Sequence, residues 1–190
     1  MSIRKISPNY DSGKLGAGAL NDRIDVYEDR VRGWLIDCGP ILNRHEHAGF
    51  GVLQIGLAYL EGFSIFLRGE DGRYRSFQFF QEGLSSVFSE VASLPIPARD
   101  AFAKIMYQDG RCGLFHFGMT RRRVVLSDGQ PVFRVKTDPT DQSVEEILID
   151  RYGFIEQIDR HHSRYVARLR DLAEVEIRKN FDRAWELVHQ

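Results

Sequence analysis

Cysteine is scarce in this 190-residue chain, with Cys38 and Cys112 as its only two. That excludes a disulfide framework and an all-thiolate zinc site, and it suits a reducing, cytoplasmic setting. An excess of one charge is missing too, since 26 Lys and Arg stand against 27 Asp and Glu, a formal net charge of -1. A grossly basic nucleic-acid coat and an acidic buffer protein are both excluded, so any electrostatic function has to be local. The chain has no internal repeat, no low-complexity tract, no glycine-rich phosphate loop after a strand and no nucleophilic serine elbow. Its first stretch, 1–21, is polar and glycine-bearing, without an apolar h-region or a small-residue cleavage site. It reads as a loose lead-in rather than a secretory signal.

Long hydrophobic runs reduce to one, Gly49 to Leu67 (GFGVLQIGLAYLEGFSIFL), whose single formal charge is Glu61. Its length nearly spans a bilayer. Gln54 and Glu61 nevertheless fall seven apart, on one helix face, and four glycines lower helix propensity. The run therefore reads as a buried central helix of a protein that does not engage a membrane. With 43% hydrophobic and 12% aromatic residues the chain has ample material for a core. Its length corresponds to one domain covering 1–190.

Apolar residues at Ile24, Tyr27, Val31, Leu35, Cys38 and Leu42 recur at helical intervals and predict a first helix, antiparallel to the Gly49 to Leu67 helix after the polar NRHEHAG connection. Phe77 to Val91 predicts a third helix. A fourth starts near Pro97 or Ala98 and runs toward Gly110 and Gly113, which permit a bend or an early end. The period then changes. RRVVLS, a DGQP turn and VFRVK read as a β-hairpin, and EEILID reads either as a third strand or as a helix start with Ser143 and Glu146 as a capping box. A long helical stretch from Phe154 to Val188 follows, with an interruption expected around Asn180. The expected fold is mostly α, an antiparallel helical bundle with a small β-hairpin elaboration over 121–150 before the C-terminal helices.

The fourth helix carries the chemistry in the segment YQDGRCGLFHFG. Arg111 and His116 are separated by five helical steps, about 140° of net rotation, so a straight helix would not put them on one face. Either unwinding at Gly110 and Gly113 or a second copy across a two-fold axis has to bring them together. Between Lys104 and Lys136 seven basic residues, including Arg121, Arg122 and Arg123, face two acidic ones, a local excess that suits phosphate-backbone contacts. Three consecutive arginines also serve simply to keep a strand edge soluble. Glu61 is a candidate buried partner for a cation such as Arg111, and Tyr107 and Asp109 are candidates to line the same cleft. His45, Glu46 and His47, and the pair His161 and His162, lack an established metalloenzyme spacing and read as loop and surface residues. No metal or other cofactor is expected.

The segment resembles the signature of the HEPN superfamily, small all-α proteins in which Arg-x4-6-His marks metal-independent ribonucleases, many of them toxins or defence effectors. It is similar to the aromatic-x3-Arg-x-Gly-Leu-x-His-x-Gly form of that motif, here Tyr107, Arg111, Gly113, Leu114, His116 and Gly118. The resemblance covers roughly residues 22 to 120. It implies an RNA-cleaving homodimer in which Arg111 and His116 of two protomers face one another and yield 2′,3′-cyclic phosphate and 5′-hydroxyl ends. It also implies possible partners of the antitoxin or regulatory kind, and use as a toxin or phage-defence effector. Its chemistry is reasonable for these residue types. An imidazole titrating near about 6.5 exchanges protons with ribose hydroxyls, and a guanidinium fork binds phosphate oxygens. Cys112 stands where the family usually has a polar residue, often Asn, and its thiol is a weak hydrogen-bond partner. That departure supports the alternative of a non-catalytic module of the same fold that binds RNA, a nucleotide or a protein. Cys112 as a nucleophile toward His116 is disfavoured, since nothing else in the chain points to acyl transfer.

Overall fold

In the computed structural model, which describes residues 4–140 and 143–189, the first periodic stretch forms α1 (Leu20–Val31), a π-helical turn over Arg32–Ile36, and α2 (Cys38–Leu42). The wide turn passes Gly33, where an added Cβ would lie 2.5 Å from Pro8 Cγ. The lead-in is thus docked rather than loose. Its Asn9 backbone and side-chain amides both donate to Asp29, and Lys14 pairs with Asp22 and Asp25. These ties come from charges on the face of α1 that points away from the core.

The apolar run is one helix, α3 (Gly49–Arg68). By length and composition it would cross a membrane, but α4 (Ser76–Val87) and the two C-terminal helices pack around it and make it the central core helix. Tyr27 of α1 meets Phe66 near the end of α3 while α2 meets its beginning, so the two predicted helices do run antiparallel. Close approach of α4 depends on Gly83, where a Cβ would fall 2.1 Å from the Leu60 carbonyl oxygen. Gly69, in the left-handed region at φ 66°, ends α3.

The third predicted helix breaks at Phe88, whose extended backbone buries its ring in a stack on Phe154, and resumes as the short α5 (Ser89–Ala92). The fourth is α6 (Ile96–Ile105), continued by a π-helical turn over Met106–Arg111 and by α7 (Cys112–Phe117). Pro97 sits in its first turn, where a missing N–H is harmless.

The β elaboration departs from expectation. Strands β1 (Val124–Ser127) and β2 (Phe133–Thr137) do not form a hairpin, because β3 (Val144–Asp150) lies between them, parallel to β1 and antiparallel to β2. The turn residues DGQP signal a reversal, but not how far apart the strands it joins will lie. Two strand spacings, roughly 10 Å, separate β1 from β2, and the connection is long enough to cross them. The middle position falls to the strand whose Ile147 and Ile149 are both fully buried. Glu146 accordingly pairs with Lys136 across the sheet rather than capping a helix.

The next helix, α8 (Arg151–Arg170), starts at Asp150, whose carboxylate accepts from the Gly153 N–H at 3.0 Å. It ends at Asp171, and α9 (Val175–Val188) follows. The interruption therefore lies nine residues before Asn180. Asn180 is helical and donates to the Leu67 carbonyl, tying α9 to the end of α3.

Candidate functional site

The π-helical turn sets the geometry of the Arg111 region. The Cys112 N–H bonds to the Tyr107 carbonyl, five residues back, so one extra residue is accommodated and the face presented afterward is rotated by roughly 100° relative to an uninterrupted α-helix. Asp109 and Gly110 turn inward and Arg111 is directed at α3. There its Nη2 donates to Glu61 Oε2 at 3.1 Å, and its guanidinium lies over the rings of Tyr107 and Phe115, 5.7 and 5.2 Å from their centroids. This is the only ion pair of Arg111 among the described residues.

Tyr107 is itself fixed. Its hydroxyl donates to Ser76 Oγ at 2.9 Å and its ring meets Phe77 and Phe80 edge-on. Asp109 turns away from Arg111 toward the arginine triplet, whose groove it helps to line. Its carboxylate, 8% exposed, accepts from Arg123 Nε at 2.6 Å, and its carbonyl accepts from the Arg121 N–H. The pair pins the chain that returns from α7. Gly118, at φ 72°, turns that chain back so tightly that a Cβ on Gly113 would sit 2.8 Å from the Met119 carbonyl oxygen. The glycines of the motif are thus needed for the fold-back after α7, not for unwinding between Arg111 and His116.

His116 lies in the regular part of α7 and is exposed. Among the described residues its ring makes no hydrogen bond or ion pair, only edge contacts with Phe115 and Phe117. Because α7 is regular from Cys112 onward, the five steps keep their net rotation, and one chain does not turn Arg111 and His116 onto a common face. Phe115, Phe117 and Met119 around them are 65%, 61% and 57% exposed, an apolar border beside the histidine. Cys112 is a half-buried free thiol.

The arginine triplet divides. Arg123 is held by Asp109, Arg121 stacks over Phe117 at 5.1 Å, and Arg122 makes no ion pair among the described residues. Together with Lys136, Glu145 and Glu146 they border an open groove of about 690 Å³. Its acidic rim reduces the positive excess counted along the sequence.

His45, Glu46 and His47 are exposed on the α2–α3 loop, as expected. His161 and His162 are not surface residues. Both are buried on α8, and His162 has no exposed surface and no hydrogen bond at either ring nitrogen. Their neighbours are the rings of Tyr27, Tyr59 and Phe63. Burial, aided by the positive charge of Arg164 near His161 and of Arg32 near His162, pushes both imidazoles down to about 4. No group of three or more metal-ligating side chains occurs among the described residues. Sequence reasoning missed the exposed aromatic frame of His116, because Phe115 and Phe117 look like core residues until the fold exposes them. It also missed the contacts of His161, whose partners lie far away along the chain. Comparison with family models, with curated proteins and with solved structures returns no match, so the geometry itself carries the functional reading.

Proposed function

We propose that the protein is a metal-independent endoribonuclease with a HEPN-like helical bundle, acting as a homodimer with Arg111 and His116 at its reactive centre. The observation that carries this reading is an arginine held through one nitrogen, its Nε and Nη1 uncommitted among the described residues, at the end of the π-helical turn that leads directly into the short helix of an exposed, unpaired histidine. The exposed Phe115, Phe117 and Met119 supply an apolar border on which a second copy would pack, and that packing would bring the two motifs together.

In this reading the ribose 2′-oxygen attacks phosphorus, its proton passing to one imidazole. The bond to the 5′-oxygen breaks, and that oxygen takes a proton from an imidazole, leaving a 2′,3′-cyclic phosphate and a 5′-hydroxyl. Arg111 binds the non-bridging oxygens as negative charge grows on them. Arg121 and Arg122 extend the cationic surface for the flanking backbone. Regulation by an antitoxin or another protein, in a toxin or phage-defence role, is the biological setting the motif suggests.

The test is incubation of labelled RNA with the protein in EDTA, alongside His116→Ala and Arg111→Ala. Cleavage by the wild type with 2′,3′-cyclic phosphate ends, abolished in both variants, is the expected result. Retained RNA binding without cleavage by the wild type would replace the enzyme with a binding module. The half-buried Cys112 thiol, a weak hydrogen-bond partner where the motif usually has a polar side chain, favours that second reading.

A further inference from the structure

On the far part of α4 a second constellation lies apart from Arg111. Ser86 is ten residues beyond Ser76, the partner of Tyr107, which is about 15 Å along the helix. Its Oγ is 3.1 Å from His161 Nε2, and His161 Nδ1 is 2.9 Å from the Tyr59 hydroxyl. The direction of this chain follows from counting protons. Tyr59 is buried and its hydroxyl stays protonated, and among the described residues His161 is its only partner. Were the ring proton on Nδ1, the tyrosine O–H would be stranded without an acceptor in the core, a substantial penalty. The tyrosine therefore donates to Nδ1, and His161, neutral because burial and Arg164 hold it down to about 4, carries its one proton on Nε2 and donates to Ser86. The hydroxyl hydrogen of Ser86 then has to point elsewhere. Unlike Ser64, Ser93 and Ser163, Ser86 makes no bond to the carbonyl four residues back. It faces a pocket of about 330 Å³ between α4 and α8, shared with Ser89, Gln157, Arg160 and Arg164.

The pocket is cationic. Arg160 and Arg164 are four apart on α8, a like-charge spacing that destabilises a helix unless an anion relieves it. Arg160 has a loose, exposed partner in Glu156 at 3.3 Å, and Arg164 has none among the described residues. The same direction of proton donation excludes Ser86 as a nucleophile, because the imidazole offers it a hydrogen instead of taking one. What remains is a hydroxyl hydrogen and two guanidinium groups, with no carboxylate among the residues that line the pocket.

We propose that this pocket is a binding site for a phosphate monoester, with Arg164 and Arg160 taking the charge and the Tyr59–His161–Ser86 chain aiming a hydroxyl hydrogen at a phosphate oxygen. Two guanidinium groups on α8 and a hydroxyl on α4 offer more donors than a planar carboxylate uses, since one arginine fork would satisfy it, and they match the several oxygens of a tetrahedral oxyanion. The volume admits a phosphate alone or one carried on a nucleoside, and the pocket is independent of the Arg111 centre.

The experiment is a titration at pH 7.5 and low salt with inorganic phosphate, adenosine monophosphate, adenosine and acetate, followed by calorimetry and by the ¹⁵N signals of the His161 ring. Phosphate and the monophosphate should both bind saturably, with acetate and adenosine at least tenfold weaker, and His161 should report a proton on Nε2. Tighter binding of the monophosphate than of phosphate would identify a nucleotide as the occupant, and equal binding the bare anion. Arg164→Gln should weaken binding about tenfold and Ser86→Ala several-fold, whereas Lys179→Gln, which removes an exposed charge on α9 outside both sites, should leave it unchanged. Absence of saturable binding, adenosine binding as tightly as its monophosphate, insensitivity to Arg164→Gln, or an equal loss in Lys179→Gln would each overturn the assignment.

Discussion

Arg111 donates to Glu61 across the junction between the root of α7 and the middle of α3, at 3.1 Å and with both side chains mostly shielded from water. The contact holds the guanidinium by one nitrogen and leaves its remaining donors unused among the described residues. Glu61 is a positioning residue in the proposed nuclease. Glu61→Ala should lower kcat on RNA about tenfold, the order of magnitude lost when a charge-binding group is no longer held in place, with KM moving less. Glu61→Gln keeps an acceptor oxygen and should restore most of the rate. A loss of equal size in both variants, accompanied by a large fall in Tm, would make Glu61 a purely structural partner.

Because α7 keeps Arg111 and His116 on different faces, cleavage by a single chain is not expected. Chains carrying Arg111→Ala and chains carrying His116→Ala, each inactive alone, should regain partial activity when co-expressed. Phe117→Asp places a charge in the apolar border and should shift the protein toward monomer by analytical ultracentrifugation, with cleavage lost in parallel. Full activity in a demonstrated monomer would remove the composite site.

Arg122 and Arg123 adjoin each other in sequence and differ in duty. Arg123→Ala strands the buried carboxylate of Asp109 and should destabilise the fold by about 1 to 3 kcal/mol. Arg122→Ala breaks no ion pair among the described residues and should leave Tm unchanged. In RNA binding it should instead reduce the slope of log affinity against log salt by about one. Equal thermal effects would contradict the division.

Much of this helical framework was legible because amphipathic spacing depends on neighbours three and four residues away. The central helix, the fourth helix with Pro97 at its start, and the Glu61–Arg111 partnership follow from such local signals, the last because a lone carboxylate on an apolar helix needs a cation. What escaped depends on distant contacts. Strand order differs from the sequence expectation because β1 and β3 are joined through sixteen intervening positions, and turn residues carry no information about which strand takes the middle. The π-helical turns over Arg32–Ile36 and Met106–Arg111 have no periodic signature, since each is a single-residue offset. His161 and His162 looked like surface residues because histidine is polar, while their burial is decided by aromatic rings on α1 and α3.

Two glycines near the α3–α4 contact should respond oppositely to alanine. At Gly83 a methyl would meet the Leu60 carbonyl at 2.1 Å, a backbone atom that yields only if the helices separate. Gly83→Ala should cost about 3 kcal/mol, a fall in Tm of roughly 6 to 12 °C for a chain of this size. At Gly62, inside α3, a methyl meets nothing within 4 Å. Gly62→Ala should stabilise by up to about 1 kcal/mol through helix propensity. Thermal unfolding followed by circular dichroism separates the two, and similar effects would mean that α3 and α4 do not pack this closely.

Stability should fall on mild acidification, before most carboxylates titrate. In the folded chain His161 and His162 accept protons only near pH 4, because burial disfavours their charged forms, while in the unfolded chain they do so near about 6.5. The unfolded state therefore binds more protons between these values. The two groups contribute their full stabilisation above about pH 6.5 and lose it progressively as the pH falls toward 4, by up to roughly 3 kcal/mol each. Urea unfolding at pH 7.5, 6.0 and 5.0 measures the slope. His162→Leu replaces a ring with two unpaired buried nitrogens by an apolar side chain, so it should leave stability at pH 7.5 nearly unchanged or higher and should flatten the slope between 6.5 and 5. If wild type and variant lose stability in parallel over that interval, the buried imidazole of His162 is not what makes the fold acid-sensitive.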